Sequence, residues 1–224
     1  FFTEELINQK NLHNKFDIIF AANVICHIPN MLSLFKCVEK SLKQDGFFIF
    51  EEPYLGAMLE KTSYDQIYDE HFYMFSANSI TSILDKFNLE LVSAERISTH
   101  GGSMRYYVKK TKSFKISKKL KQVLKYEESL KISKIKTIKK FVANCINSKK
   151  RILKIMNEII SKDEDIYGYG ATSKSTTILH FCDVKDNFIQ GIFDNTPTKI
   201  NKYFPAKKIK SNKIKYLELG NLNI

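Results

Sequence analysis

The sequence predicts an α/β fold in two parts, and three observations carry that prediction. Residues 16–28, FDIIFAANVICHI, open on a short apolar run and turn polar at Asn23, as a buried parallel strand does where it runs out into a site. Residues 31–42 place apolar side chains at helical spacing, and residues 46–55, GFFIFEEPYL, are a second buried run that ends in two acids and a proline. Strand, helix and strand in that order make a βαβ unit. Residues 165–182, DIYGYGATSKSTTILHFC, begin a second such unit with a short strand, a glycine turn and an amphipathic helix.

The remaining elements follow in order. KQDG at 43–46 reads as the stop of the first helix, and ANSITSILDKFNLEL reads as a helix entering a strand. ELVSAERIS and SMRYYVKK are strands joined through THGG, a hairpin that closes the first sheet. From Phe114 to Ile160 apolar residues recur every three or four positions with lysines on the other face, which predicts a long helical region broken near residues 144–148. FIQGIFDN is the strand after the glycine turn, ending on Asp194, and NTPTKINKYFPAKKI reads as a loop.

Charge and composition narrow the function classes. The net charge of +12 is uneven: residues 1–108 carry −5, residues 109–154 carry +15 and residues 155–224 carry +2. The basic stretch coincides with the helical region, lacks interleaved exposed aromatics and reads as a solvated helix face, so nucleic acid is not an expected partner. Cys26, Cys37, Cys145 and Cys182 are scattered without a C-x-x-C pair, which predicts reduced thiols and neither a metal site nor a disulfide framework. No apolar run approaches the ~18 residues that a membrane span takes. FFTEELINQK has acids where a signal peptide carries a basic region, so the expected setting is the cytoplasm, with no membrane partner.

Several residues could carry chemistry. His27 follows the polar tip of the first strand, with Asn23 four residues earlier, and ligands of open α/β sheets bind outside the carboxyl ends of strands. YDEHFYMFS (68–76) sets Tyr68, Glu70 and His71 within four positions in another loop expected on the same sheet edge. A satisfied loop histidine is the competing reading for either ring alone. Glu70 could orient His71 or raise its basicity, although side chains adjacent in sequence need not meet. THGGSMRYYV offers a tight turn or a close backbone approach, with Ser103 and Arg105 as polar contacts. In GYGATSKS, Gly168 and Gly170 precede a helix whose first turns carry Lys174, a candidate phosphate cradle without the G-x-G-x-x-G or Walker spacing.

Taken in order, ANVICHIPN, FEEPYL, KTSYDQIYDEHFYMFS, HGGSMRYYV and GYGATSKS resemble the C-methyltransferases that act on nucleotide-linked 4-keto deoxysugars. The resemblance implies the second half of a Rossmann-like, S-adenosylmethionine-binding sheet over residues 1–112. Residues 113–224 would then be a C-terminal domain, with a helical region at 113–162 and a partial α/β nucleotide-sugar unit at 163–224. It implies His71 as the base that removes a proton beside the ketone, Tyr68 and Glu70 lining its pocket, and His27 contacting the sugar and steadying the enolate. Ala22 and Asn23 would face the methyl donor. Asn23, Ser103, Arg105, Gly168, Gly170 and Lys174 would face the nucleotide sugar. The family's zinc belongs to a cysteine-rich N-terminal domain, and neither that domain nor the early glycine-rich cofactor loop is present in these residues. The chain therefore reads as a fragment, expected to be inactive alone. An O- or N-methyltransferase would share the fold without needing an enolate-forming base, and a basic nucleic-acid-binding α/β protein is the reading outside the enzymes. The sugar, its nucleotide, the methylated carbon and the oligomeric state are not specified by sequence.

Overall fold

The computed structural model describes residues 2–111 and 115–213, so the Phe114 start expected for the helical region lies outside the described residues. The chain divides into two compact units, one up to Phe141 and one from Val142 on. In the first, helix α1 (Glu4–Gln9) precedes strand β1 (Phe16–Ala22), helix α2 (Met31–Ser41) and strand β2 (Leu42–Pro53). Asn30 starts α2 by accepting from the Ser33 amide at 3.0 Å, an N-cap that satisfies one of the donors a helix start leaves open. β1 and β2 are parallel, with Ile19 opposite Phe48 and Ala22 opposite Glu51, so the predicted βαβ unit is present. The strand takes in the KQDG stretch rather than starting after it: Leu42 pairs with Phe16, Asp45 adopts φ +62°, and the register slips before Ile18 meets Phe47.

Helices α3 (Leu55–Lys61) and α4 (Ala77–Leu84) lead into strands β3 (Glu90–Ile97) and β4 (Ser103–Lys109). These form the expected antiparallel hairpin, and β4 inserts beside β2 to give the order β1-β2-β4-β3. Aromatic rings fill the core under the sheet: Phe48 and Phe50 stack at 5.0 Å, Phe50 and Tyr106 at 4.7 Å, and Phe35 of α2 meets Phe50 edge-on at 6.3 Å. Edge-on and offset contacts of this kind are favoured by the ring quadrupole. β1 is an outer strand of this sheet, and Ile18 and Phe20 leave 61% of their surface exposed there.

The helical region breaks earlier than its sequence suggests. α5 (Lys118–Leu130) ends where Lys131 takes a left-handed φ of +52°, and α6 (Ile135–Ile160) then runs unbroken through residues 144–148. Buried Phe141 and Cys145 keep the i, i+4 apolar spacing across the expected break, while Lys131 donates to the Glu127 and Glu128 carbonyls as a C-cap. α5 lies against β3 and α4, so the first unit continues past residue 112.

The second unit pairs β5 (Tyr167–Tyr169), β6 (Gly191–Asp194) and β7 (Ser211–Lys213) in one parallel sheet, with α7 (Ser173–Phe181) between the first two. β7 was not legible in sequence because Ser211-Asn212-Lys213 has neither apolar alternation nor β-branched residues. Among the described residues no helix is long and apolar enough to cross a membrane.

Glu127 of α5 is fully buried and caps α4 from outside. Its carboxylate accepts from the amides of Ala77 (2.6 Å) and Asn78 (3.0 Å) and from the Asn78 side chain (2.7 Å). Negative charge at a helix start is favoured by the unpaired N–H groups and the dipole. Glu127→Ala strands those donors and should cost about 3 kcal/mol, the range for hydrogen bonds to a charged group. Urea unfolding should show a lower midpoint with an unchanged slope. An unchanged midpoint would mean that Ser76 caps the helix sufficiently alone.

Candidate active site

Two loops at the carboxyl edge of β1 and β2 are brought together by backbone and side-chain bonds. At the end of β1, Asn23 takes a left-handed φ of +53° and donates its amide to Glu51 O at 2.8 Å, turning the chain across the sheet edge. The next two amides, Val24 and Ile25, both donate to one oxygen of Glu52, at 3.0 and 2.6 Å. Glu52 is fully buried on the neighbouring strand. This carboxylate holds a 3-10 turn at Ile25–His27 whose Ile25 and Cys26 sink into the core while His27 stays half-buried.

The 66–73 loop then docks on that turn through three bonds. Phe72 N donates to Cys26 O at 2.9 Å, His27 Nδ1 donates to Glu70 O at 2.8 Å, and the Tyr73 hydroxyl donates to Pro29 O at 2.6 Å. The same loop is held from its other side by Gln66, whose side-chain amide donates to His100 O at 2.8 Å. His100 and the paired glycines form the turn between β3 and β4. Gly102 adopts φ +132°, and a Cβ there would come within 2.6 Å of Ala57 Cβ, so the pair serves a close backbone approach.

The result is a pair of imidazoles with centroids 4.9 Å apart. His71 Nδ1 lies 2.8 Å from Gln66 O, and a carbonyl can only accept, so Nδ1 carries a proton and in the neutral ring Nε2 presents a lone pair. The Tyr68 hydroxyl donates to that lone pair at 2.7 Å, its ring 4.0 Å from the imidazole. Burial first, then the neighbouring ionisable groups, push the Tyr68 hydroxyl above the ordinary phenol range, so at neutral pH it stays a donor. His27 is fixed in the same tautomer by Glu70 O. The Glu70 side chain is exposed, and what the residue contributes here is its main-chain carbonyl, to His27.

Behind the pair, Cys26 is 1% exposed, and burial followed by the adjacent Glu52 carboxylate raises its thiol pKa well above the ordinary range. Sequence reading missed Cys26, Glu52 and Gln66. The acids of FEEPYL signalled a polar strand end, but nothing local says that Glu52 turns inward while Glu51 faces Arg105.

Ser103 and Arg105 are placed on β4, each with partners of its own. Ser103 Oγ is buried and donates to Thr99 O at 3.1 Å. Strand register sets Arg105 between Glu51 and Glu95, at 2.5 and 3.2 Å. Ala22 closes β1 opposite Glu51.

In the second unit Gly170 has φ +89° and donates to Phe193 O at 2.7 Å, and Thr172 caps α7 by accepting from Ser175 N. Asp194, at the end of β6, accepts from Ala171 N and Thr196 N, each at 2.7 Å. A cavity of about 270 Å³ opens beside this turn, lined by Thr172, Thr176, Lys199, Lys202 and Tyr203. Gly168 belongs to β5, where a Cβ would meet Ile192 at 2.7 Å, and the lysines on the cavity wall are Lys199 and Lys202 rather than Lys174.

Two family models and a curated relative match this chain as a C-methyltransferase. A family model described as "C-methyltransferase C-terminal domain" matches residues 98–216, and one described as "Methyltransferase domain" matches residues 2–94. The C-methyltransferase NovU of Streptomyces niveus is 25% identical over 198 residues, covering 88% of this chain and 47% of that protein. The chain thus spans about half the length of that curated relative. Among solved structures, a candidate methyltransferase of Bacillus halodurans C-125 is similar at 11% identity and TM-score 0.36, over 45% of this chain and 66% of that one. A candidate sarcosine dimethylglycine methyltransferase of Galdieria sulphuraria is similar at 14% identity and TM-score 0.35, over 48% and 64%.

The hydrogen bonds from Thr196 and then Ala171 hold the Asp194 carboxyl down at about 2. A carboxylate with a depressed folded-state pKa adds stability above its unfolded value of about 4, and that stability is lost as pH falls. Unfolding followed at fixed pH should show the second unit weakening between about pH 4 and pH 2. Asp194→Asn should be less stable at neutral pH and nearly flat across that window. An equally steep acid response in the variant would assign it to other groups.

Proposed function

This chain belongs to the C-methyltransferase family, and from that premise we propose that it takes part in S-adenosylmethionine-dependent C-methylation of a nucleotide-linked 4-keto deoxysugar, with His71 as the base. The observation that carries the reading is the Tyr68–His71–Gln66 arrangement. A ring nitrogen lone pair is aimed by a main-chain carbonyl behind it, at the strand edge where α/β sheets bind ligands.

Carbon becomes a nucleophile only when an adjacent carbonyl lets it lose a proton as an enolate. In the proposed step His71 Nε2 takes the proton from the carbon beside the ketone, a general-base contribution typically worth ~10²–10⁴. Tyr68, whose hydroxyl now donates to Nε2, would turn that proton toward the enolate oxygen as the base is engaged, and its raised pKa suits it to donate rather than abstract. His27 has one nitrogen committed to Glu70 O, so it donates to an enolate oxygen only when its Nε2 is also protonated. The sugar would lie across the outer edges of the two rings, whose centroids are 4.9 Å apart.

S-adenosylmethionine, when bound, supplies the electrophilic methyl group. Ala22, small at the end of β1, and Asn23, in a left-handed turn just after it, would form one wall of its site. Holding the two carbons in line is the remaining task of the protein. In the second unit we propose the cavity beside α7, with Lys199 and Lys202 on its wall, as a phosphate site.

In the full-length protein, His71→Asn should leave substrate and cofactor binding in place and lower methyl transfer by ~10²–10⁴. With an unreactive cofactor analogue in heavy water, the native protein should place deuterium on the carbon beside the ketone and the variant should not. Exchange at the native rate in His71→Asn would move the base elsewhere. Methyl transfer without any exchange, in a protein whose base is open to solvent, would favour an oxygen or nitrogen acceptor.

A further inference from the structure

We propose that Cys26, His27 and His71 form a binding site for a soft divalent transition-metal cation, Zn²⁺ in the first place. Their ligand atoms, one sulfur and two ring nitrogens, all lie within 4.8 Å of one another. Thiolate and imidazole are the ligands zinc prefers, at about 2.3 Å from sulfur and 2.0–2.1 Å from nitrogen. A tetrahedral ion with those bonds holds its ligands roughly 3.3–3.8 Å apart, so closure asks for about 1 Å of contraction.

The second observation is the way both rings are held. His27 donates Nδ1–H to Glu70 O and His71 donates Nδ1–H to Gln66 O, each at 2.8 Å. Metal-binding histidines are oriented in this manner, with one nitrogen donating to a carbonyl so that the other keeps its lone pair for the ion. Here the carbonyls fix both Nε2 atoms as acceptors. The Tyr68 hydroxyl must leave His71 Nε2 for the ion to bind, and either it or a water completes four-coordination.

The thiol proton must also leave. Zinc binds the thiolate, so loading the buried Cys26 site releases a proton. Selectivity follows from this chemistry: Mg²⁺ and Ca²⁺ prefer all-oxygen sets and should not compete.

The consequence for activity rests on the reading of His71 as the base. An ion that takes the Nε2 lone pair removes the group that accepts the substrate proton, so zinc bound here is an inhibitor competitive with the sugar.

The test uses Co²⁺, whose spectrum reports its ligands, titrated into the reduced chain at pH 7.5. A saturable near-ultraviolet thiolate-to-cobalt band, with visible bands of four-coordinate intensity, is expected, and stoichiometric Zn²⁺ should abolish both. Cys26→Ser should lose the ultraviolet band. His27→Asn should weaken binding by at least the roughly 10–100-fold that a second-shell loss costs, with its circular dichroism unchanged. His27 is half-buried, so that variant keeps the test decisive if Cys26→Ser fails to fold. No saturable band, a band that persists in folded Cys26→Ser, or native affinity in His27→Asn would overturn the proposal. If cobalt and zinc bind as expected and saturating zinc leaves methyl transfer in the full-length protein unaffected, the site stands and the base assignment falls.

Discussion

One buried carboxylate organises the chemistry-bearing edge of this protein. Glu52 is fully buried and accepts the amides of Val24 and Ile25 from the strand beside it. The two amides satisfy one buried oxygen of this side chain, and removing either side leaves the other unpaired. The bond forces the chain leaving β1 into a tight turn, which drives Ile25 and Cys26 inward and leaves His27 at the surface of the core. Everything that makes the histidine pair depends on that turn. The 66–73 loop has its docking points on Cys26 O, His27 and Pro29 O, and the orientation of His71 follows from the shape this loop then takes.

The architecture was legible where the sequence has a period, and obscure where structure comes from long-range polar bonds. The apolar runs at 16–22 and 46–53 fixed two adjacent parallel strands, and the hairpin through THGG emerged as expected. The convergence of His27 and His71 on one edge was also inferable, since His27 directly follows β1 and His71 lies in the segment that leaves β2 before the chain returns to the sheet. The partners of these rings were not. YDEH suggests that the Glu70 carboxylate tunes its neighbour, yet side chains adjacent in a loop point apart, and the peptide carbonyls of Gln66 and Glu70 do the orienting. Backbone acceptors leave no trace in residue identity. For the same reason Glu127 reads as one acid in a lysine-rich helix, although its partners lie 49 and 50 residues away.

The second unit repeats the lesson in a smaller form. Its glycine turn and helix were visible, and so was the acid that ends the following strand. That Asp194 binds the turn's own amide, and that the lysines beside the cavity come from the loop at 199–202, became apparent only in three dimensions. The +15 stretch, which invites a nucleic-acid reading in one dimension, is carried by two amphipathic helices. α5 turns Leu120, Val123 and Glu127 inward and its lysines outward.

The chemistry of this edge depends on where the His71 ring holds its proton. A carbonyl behind Nδ1 fixes the lone pair on Nε2, and both the proposed base and the proposed metal site use that atom. Nitrogen-15 NMR of the ring-labelled protein at neutral pH reads this directly. His71 is expected as the Nδ1–H tautomer, with a pyridine-like Nε2 whose signal shifts when Tyr68→Phe removes the hydroxyl. A pyridine-like Nδ1 with the proton on Nε2 would contradict it, because the ring would then turn a donor, rather than a base or ligand, toward the site.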